Sequence, residues 1–259
     1  MYRYVGGYVR FVALVLASLA LVGCGRMNLT MSLPEPSTSS IQLTSDYPGV
    51  GMVVLPEGSG ICTGTFVSDR AVLTAAHCLP KSGRYSFVTS EGTFSTYEKV
   101  VMGSGSVDDP HDIGFLIFEP NTAKPEQIHR IGDRATAGDV LRLVGLGCNN
   151  LETRRGSGVK RTGTNVLAGV DDYLNFLTPR NYARGILGPS NRAGSCFGDS
   201  GGPAFADVGG ALVVVGVTHA GGYMGDNLIS QYVNVATRSD NRNWLRSQNS
   251  QHQLGIEGL

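Results

Sequence analysis

Short apolar runs separated by glycine-rich turns recur along most of this chain, and that rhythm constrains the fold more than any other feature. Gly51–Leu55, Ala71–Ala75, Ile113–Phe118, Val140–Val144, Leu212–Gly216 and Ile229–Val235 are five to seven residues long and rich in Val, Ile and Leu. Runs of that length between turn signals are strands, because a helix needs a longer periodic stretch to bury one face. Glycine fills 36 of 259 positions, about twice its ordinary share of roughly 7%. Many short strands joined by such turns predict an all-β sandwich or barrel. One helix is expected near the end, where Ser239 or Asp240 can cap Asn241–Ser247. No internal repeat is visible.

Charge narrows the function. Lys+Arg and Asp+Glu both number 21, so the net charge is zero and the basic excess that drives nucleic-acid binding is missing. With 41% hydrophobic and 16% charged residues, the chain has the opposite bias to a disordered one.

The first residues read as an address. Arg3 and Arg10 precede an almost wholly apolar run from Phe11 to Gly23, shorter than the roughly 20 residues of a membrane span but suited to a secretory signal. The run ends Leu21-Val-Gly-Cys24, which resembles a bacterial lipobox, so residues 1–23 are expected to be removed and Cys24 to carry lipid. Residues 24–45, including Ser32-Leu-Pro-Glu-Pro-Ser-Thr-Ser-Ser40, read as a flexible tether or propeptide. The folded body should then sit at the bacterial cell envelope, on the outer membrane or a periplasmic face, or be released by processing.

There are five cysteines, Cys24, Cys62, Cys78, Cys148 and Cys196. Lipidation of Cys24 leaves four, enough for two disulfides in an exported protein, and spacing alone does not choose among three connectivities. No pair has the close spacing of a zinc site, so no metal and no cofactor is expected.

Three segments carry chemistry: Leu73-Thr-Ala-Ala-His-Cys78, His111-Asp-Ile-Gly-Phe-Leu116 and Cys196-Phe-Gly-Asp-Ser-Gly-Gly-Pro203. The third is hard to explain as structure alone. Its glycines permit unusual backbone angles, which can expose a Ser hydroxyl while aiming successive N–H groups at one point. In the order His, Asp, Ser these segments resemble the trypsin/chymotrypsin-like serine proteases over roughly residues 50 to 247. Cys62-Thr-Gly-Thr, Gly145-Leu-Gly147, Lys160-Arg-Thr-Gly163 and Asn243-Trp-Leu add to the likeness.

The resemblance implies two six-stranded antiparallel β-barrels with a short C-terminal helix. The peptidase domain would cover 46–247, the first barrel about 46–131, the second about 132–247, with a tail at 248–259. It implies Ser200 as nucleophile, His77 as its base and Asp112 as the group that orients the imidazole, with the N–H groups of Gly198 and Ser200 as oxyanion hole. It pairs Cys62 with Cys78. The family partner of Cys196 is absent from around Gly221–Gly225, which leaves Cys148 for it, an arrangement some bacterial relatives share.

The same resemblance places Gly194, Ser195, Gly221, Gly222 and Ser230 around the specificity pocket. None is acidic, which argues against Arg/Lys preference and for apolar, aromatic or Glu side chains. His219 is unexpected. One alignment of the neighbouring glycines puts it in the pocket, as in glutamyl endopeptidases; the other puts it where the family has a Ser bonded to the catalytic Asp. Asp199 resembles the buried carboxylate that pairs with a newly cut N-terminal amine, yet Ile41-Gln-Leu-Thr44 does not match the usual start. An atypical cut before Ile41, or an internal cation such as Arg142, would serve. The basic loop Arg154-Arg155 to Lys160-Arg161 reads as solvated surface or a nicking site. The expected molecule is a monomeric, membrane-tethered serine endopeptidase acting on proteins or peptides, with a catalytically inactive binding lipoprotein as the alternative.

Overall fold

A computed structural model describes residues 41–43, 46–106, 108–149, 151, 153–179 and 192–259. The expected signal segment, Cys24 and most of the expected tether lie outside the described residues. Among these residues no helix is long and apolar enough to cross a membrane.

The chain runs β1 (Ile41–Leu43), β2 (Val50–Val54), β3 (Ile61–Phe66), β4 (Ala71–Thr74), β5 (Tyr85–Thr89), β6 (Gly92–Thr96), β7 (Glu98–Val101) and β8 (Gly114–Ile117). It continues through β9 (Val140–Gly145), β10 (Arg161–Val170), β11 (Tyr173–Pro179), β12 (Pro203–Val208), β13 (Ala211–Met224), β14 (Asn227–Asn234) and α1 (Ser239–Gln251). Each apolar run singled out in the sequence overlaps a strand. All ladders are antiparallel, in two seven-stranded sheets.

The second sheet runs β1-β10-β11-β14-β13-β12-β9, and pairing of β9 with β10 closes six of its strands into a barrel. Alternation drives the closure. Along β11, Leu174, Phe176 and Thr178 point inward, where they meet Leu141, Leu167, Val215 and Tyr232.

The first sheet runs β6-β5-β2-β3-β4-β8-β7 and stays a half-barrel, where a closed six-stranded barrel was expected. Its two edge strands, β6 and β7, are consecutive in the chain, with only Tyr97 between them. A chain corner therefore joins the edges in place of a ladder, and Thr96 Oγ1 donates to Ile117 O on β8 at 2.6 Å. Inside, Phe66 packs edge-on against Phe87 with ring centroids 4.9 Å apart, among buried Val53, Val72, Leu73 and Leu116.

The helix starts two residues earlier and ends four residues later than its sequence signal. Arg238 takes the N-cap position, and Asp240, in the first turn, accepts from the Arg238 guanidinium and from Asn241 N. Trp244 stacks on Phe115 of β8 (5.6 Å, interplanar 6°), tying the helix to the first sheet. Residues beyond 247 are no loose tail. The helix runs to Gln251, Leu254 and Ile256 are buried, and Ile131 N donates to Glu257 O.

Candidate active site

Three turns converge where the two sheets meet. β4 is buried along its whole length and delivers His77 on a single 3-10 turn, Ala76–Cys78, pinned by the Cys62–Cys78 disulfide. Asp112 precedes β8, a strand too apolar to sit anywhere but inside, and is itself 0% exposed. Its carboxylate accepts from His77 N (2.7 Å, Oδ1) and faces His77 Nδ1 at 2.6 Å through Oδ2. A carboxylate held to both the backbone and the ring of one histidine fixes that ring with Nδ1 as donor, leaving Nε2 to face the cleft.

Ser200 lies on the turn leading to β12. Its carbonyl accepts from Thr63 N (2.8 Å) and lies 3.7 Å from the disulfide sulfur of Cys78, which seats it beside the His77 turn. Gly201 follows with φ +81°, and a Cβ there would stand 2.1 Å from Thr74 Oγ1, so only glycine lets this turn dock on the end of β4. No hydrogen bond joins the Ser200 hydroxyl to His77, a contact that in unliganded enzymes commonly tightens only when substrate binds. Thr63 Oγ1 donates to Gly198 O at 2.8 Å and so orients that peptide. Among the described residues no acceptor takes the N–H of Gly198 or of Ser200.

His219 joins this cluster and leaves the pocket. It sits at a bulge in β13, where pairing with β14 slips between Thr218 and Ala220. Its Nδ1 lies 2.6 Å from the same Asp112 Oδ2, and its ring stacks on Tyr173 (5.2 Å, 7°). Of the two alignments, the one that sets His219 against the catalytic-type carboxylate is the one realised. Burial alone would raise the Asp112 pKa, but the His219 and His77 hydrogen bonds outweigh it and bring it down to about 2.

The other pocket residues do come together. Ser195 N donates to Ser230 Oγ at 2.9 Å, and Gly194 and Gly221 flank them, the absent Cβ of Gly194 facing Leu228, Thr178 and Ser230. Gly222 stands more open on β13. Thr178 is the member the sequence reading missed, since nothing in its local pattern distinguishes it from any inward residue of a strand.

Asp199 is buried behind the Ser200 turn. Its oxygens accept from Gly147 N (2.7 Å) and Cys196 N (2.8 Å), yet burial pushes its pKa up to about 6. Arg161, not Arg142, is the cation that acts on it, and Arg161 Nη1 is already bonded to Gly147 O at 2.9 Å. A cavity of about 40 Å³ beside it is lined by Leu143, Gly147, Arg161, Gly163, Asp199 and Tyr232, among others. Cys148 and Cys196 form the second disulfide and brace this region.

The ligand atoms of His77, Asp112 and His219 are close enough together to hold a metal ion. Each imidazole is already engaged by a 2.6 Å hydrogen bond to the carboxylate, and Cys62 and Cys78 carry no free thiolate. The cluster is satisfied as a hydrogen-bonded network.

A closed barrel and a half-barrel with a His–Asp pair between them define a chymotrypsin-like architecture. The sequence pattern of the Trypsin family matches residues 40–245, and the chain belongs to that family. Similar proteins include an uncharacterized peptidase of Corynebacterium glutamicum strain R, 25% identical over 95% of this chain and 82% of its own. A putative peptidase from a second strain of that species matches to the same extent. Among solved structures, a Glu endopeptidase complexed with MPD aligns with a TM-score of 0.60 at 14% identity, covering 82% of this chain and 97% of its own.

Proposed function

We propose that this trypsin-family chain is a serine endopeptidase that cuts proteins or peptides through an acyl-enzyme. The observation that carries this reading is the buried Asp112–His77 pair beside the Ser200 turn. A Ser hydroxyl is too weak an acid to attack a peptide carbonyl unaided. His77 Nε2 takes its proton and returns it to the leaving amine, while Asp112 keeps the tautomer and stabilises the imidazolium. The uncommitted N–H groups of Gly198 and Ser200 then receive the oxyanion, where losing one donor in comparable sites costs about 3 kcal/mol. In the test, processed protein is incubated with a peptide library and products are sequenced. Cleavage abolished in Ser200→Ala supports the enzyme. Folded, processed protein that cuts nothing supports the catalytically silent binder.

The pocket supports an apolar or aromatic residue before the scissile bond. Ser195, Ser230 and Thr178 offer hydroxyls, and none of the described residues gathered around Gly194 is a carboxylate that could pair with Arg or Lys. Glu preference loses its main support, since His219 is committed to Asp112. The same library reads this directly.

Processing ahead of Ile41 would complete the site. Ile41 pairs with Gly163, which lines the cavity beside Asp199, and a new amine there would neutralise a costly buried charge. N-terminal sequencing of active protein tests this; full activity in a chain starting at Cys24 contradicts it. Lipid on Cys24 would hold the protein at the cell envelope, a reading that rests on the Leu21-Val-Gly-Cys24 signal.

A further inference from the structure

The basic loop after Cys148 is fastened to the catalytic turn and is no free surface strand. Arg161 Nη1 donates to the carbonyls of Gly147, Gly156 and Val159 at 2.9, 2.8 and 3.2 Å, which folds the loop back on its own base. Asn149 N bonds Arg155 O at 3.0 Å, and Gly158 N bonds Leu146 O at 2.7 Å. The Cys148–Cys196 disulfide and the Cys148 N–Phe197 O bond (2.8 Å) then lock the loop to the segment that precedes Ser200.

The product of these constraints is an unusual pair. The Arg154 guanidinium lies over the Phe197 ring, 4.2 Å from its centroid. Phe197 directly precedes Gly198 and stands three residues before Ser200, yet it is 53% exposed, whereas Phe66, Phe87, Phe115, Phe176 and Phe205 are fully buried. Core packing does not account for a bare ring at this position. Among the described residues no carboxylate pairs with Arg154. A cation seated on an aromatic face with no acidic partner is a ready receptor for a carboxylate.

Position decides which part of a substrate meets it. Gly194, Ser195, Gly221 and Ser230 gather against one another in the pocket. A Cβ on Gly198 would stand 3.1 Å from Gly147 Cα and 3.6 Å from the side chain of Ile61, whose neighbour Cys62 is bridged to the His77 turn. Phe197, with Arg154 over its ring, adjoins Gly198, and His77 on that neighbouring turn returns its proton to the half of the substrate that departs as the amine. An extended peptide advances about 3.3 Å per residue, so the pair is reached within the first residues after the cut.

We propose that Arg154 and Phe197 form a binding site for the leaving half of the substrate, selecting Asp or Glu shortly after the scissile bond. The side-chain stem lies on the Phe197 ring and the carboxylate meets the guanidinium. This assignment rests on the endopeptidase reading above.

The test uses peptides identical up to the cut and carrying Glu, Gln or Lys at each of the first three positions after it. A short anilide with no residue beyond the cut accompanies them. In wild-type protein at low salt, kcat/KM favours Glu over Lys by about fivefold to tenfold, and the ratio approaches one near 1 M salt. Arg154→Glu inverts the ratio, and Phe197→Ala shrinks it. Each ratio is taken within one variant, so a general loss of turnover cancels. If wild type cleaves the peptides and the anilide with a Glu:Lys ratio of one, or Arg154→Glu keeps the wild-type ratio, the assignment is overturned and the endopeptidase reading stands. If processed protein cleaves neither the peptides nor the anilide, both fall.

Discussion

His219→Phe is the substitution whose consequences follow most fully from geometry. Phenylalanine keeps an aromatic ring against Tyr173 but removes the Nδ1 donor from Asp112 Oδ2. Asp112 accepts three hydrogen bonds, two from His77 and one from His219, and is itself 0% exposed. A hydrogen bond to a charged group contributes about 1.5–3 kcal/mol, so a carboxylate that loses one holds His77 less firmly and turnover should fall about 10- to 150-fold. KM should change little, because the lost contact touches no substrate. The loss should be uniform across substrates, and His219→Ser, which restores a small hydroxyl donor, should recover part of it.

The same substitution predicts an acid phenotype. A carboxylate whose folded pKa is depressed, here to about 2 from 3.8, adds stability above pH 4 that disappears as pH falls through about 2. The full shift corresponds to about 2.5 kcal/mol. His219→Phe surrenders the largest of the favourable contributions to that shift, so its acid unfolding midpoint should move to higher pH. Stopped-flow or steady-state peptide kinetics and urea unfolding between pH 2 and pH 7 measure both effects. Wild-type kcat together with a wild-type acid midpoint would refute the reasoning.

Other outcomes follow from the buried groups around the Ser200 turn. Asp199 has a folded pKa near 6, above 3.8, so its contribution is greatest below about pH 4 and is lost as pH rises through 6. In the unprocessed chain, Asp199→Asn should flatten that slope and remove about 3 kcal/mol of pH-dependent loss by pH 7, read by urea titration. Cys148 and Cys196 are 48 residues apart, and replacing both with Ala should cost about 4 kcal/mol in the chain-entropy picture, against about 3 for Cys62 and Cys78, 16 apart. Thermal scans under non-reducing conditions give both values. Labelled fatty acid should enter the native chain and fail to enter Cys24→Ser.

Much of this was legible in residue order alone. The alternation of short apolar runs with turns predicted the strands, and the glycines around Ser200 read as a turn with unusual backbone angles, which Gly201 adopts at φ +81°. Where sequence was silent, the deciding contacts were long-range. Whether His219 faced the pocket or Asp112 depended on a one-residue slip between Thr218 and Ala220, and a bulge leaves no mark in a run of valines and glycines. Thr178 and Tyr173 reach the site only because β11 pairs with β14, which sets them opposite Leu228 and Val233. The first barrel failed to close because β6 turns straight into β7, a corner that a strand-by-strand reading treats as one more hairpin. The basic loop is solvent-exposed as read, and only its restraints escaped notice, because they are carbonyls and a ring, which carry no charge to count.

The central claim, that the Ser200 hydroxyl is the activated nucleophile, is tested most directly by treating folded, processed protein with a fluorophosphonate and locating the adduct by peptide mass spectrometry. The account predicts a single modified residue, Ser200, with labelling suppressed in His77→Ala. An adduct on another residue, or none on protein shown to be folded and processed, would contradict it.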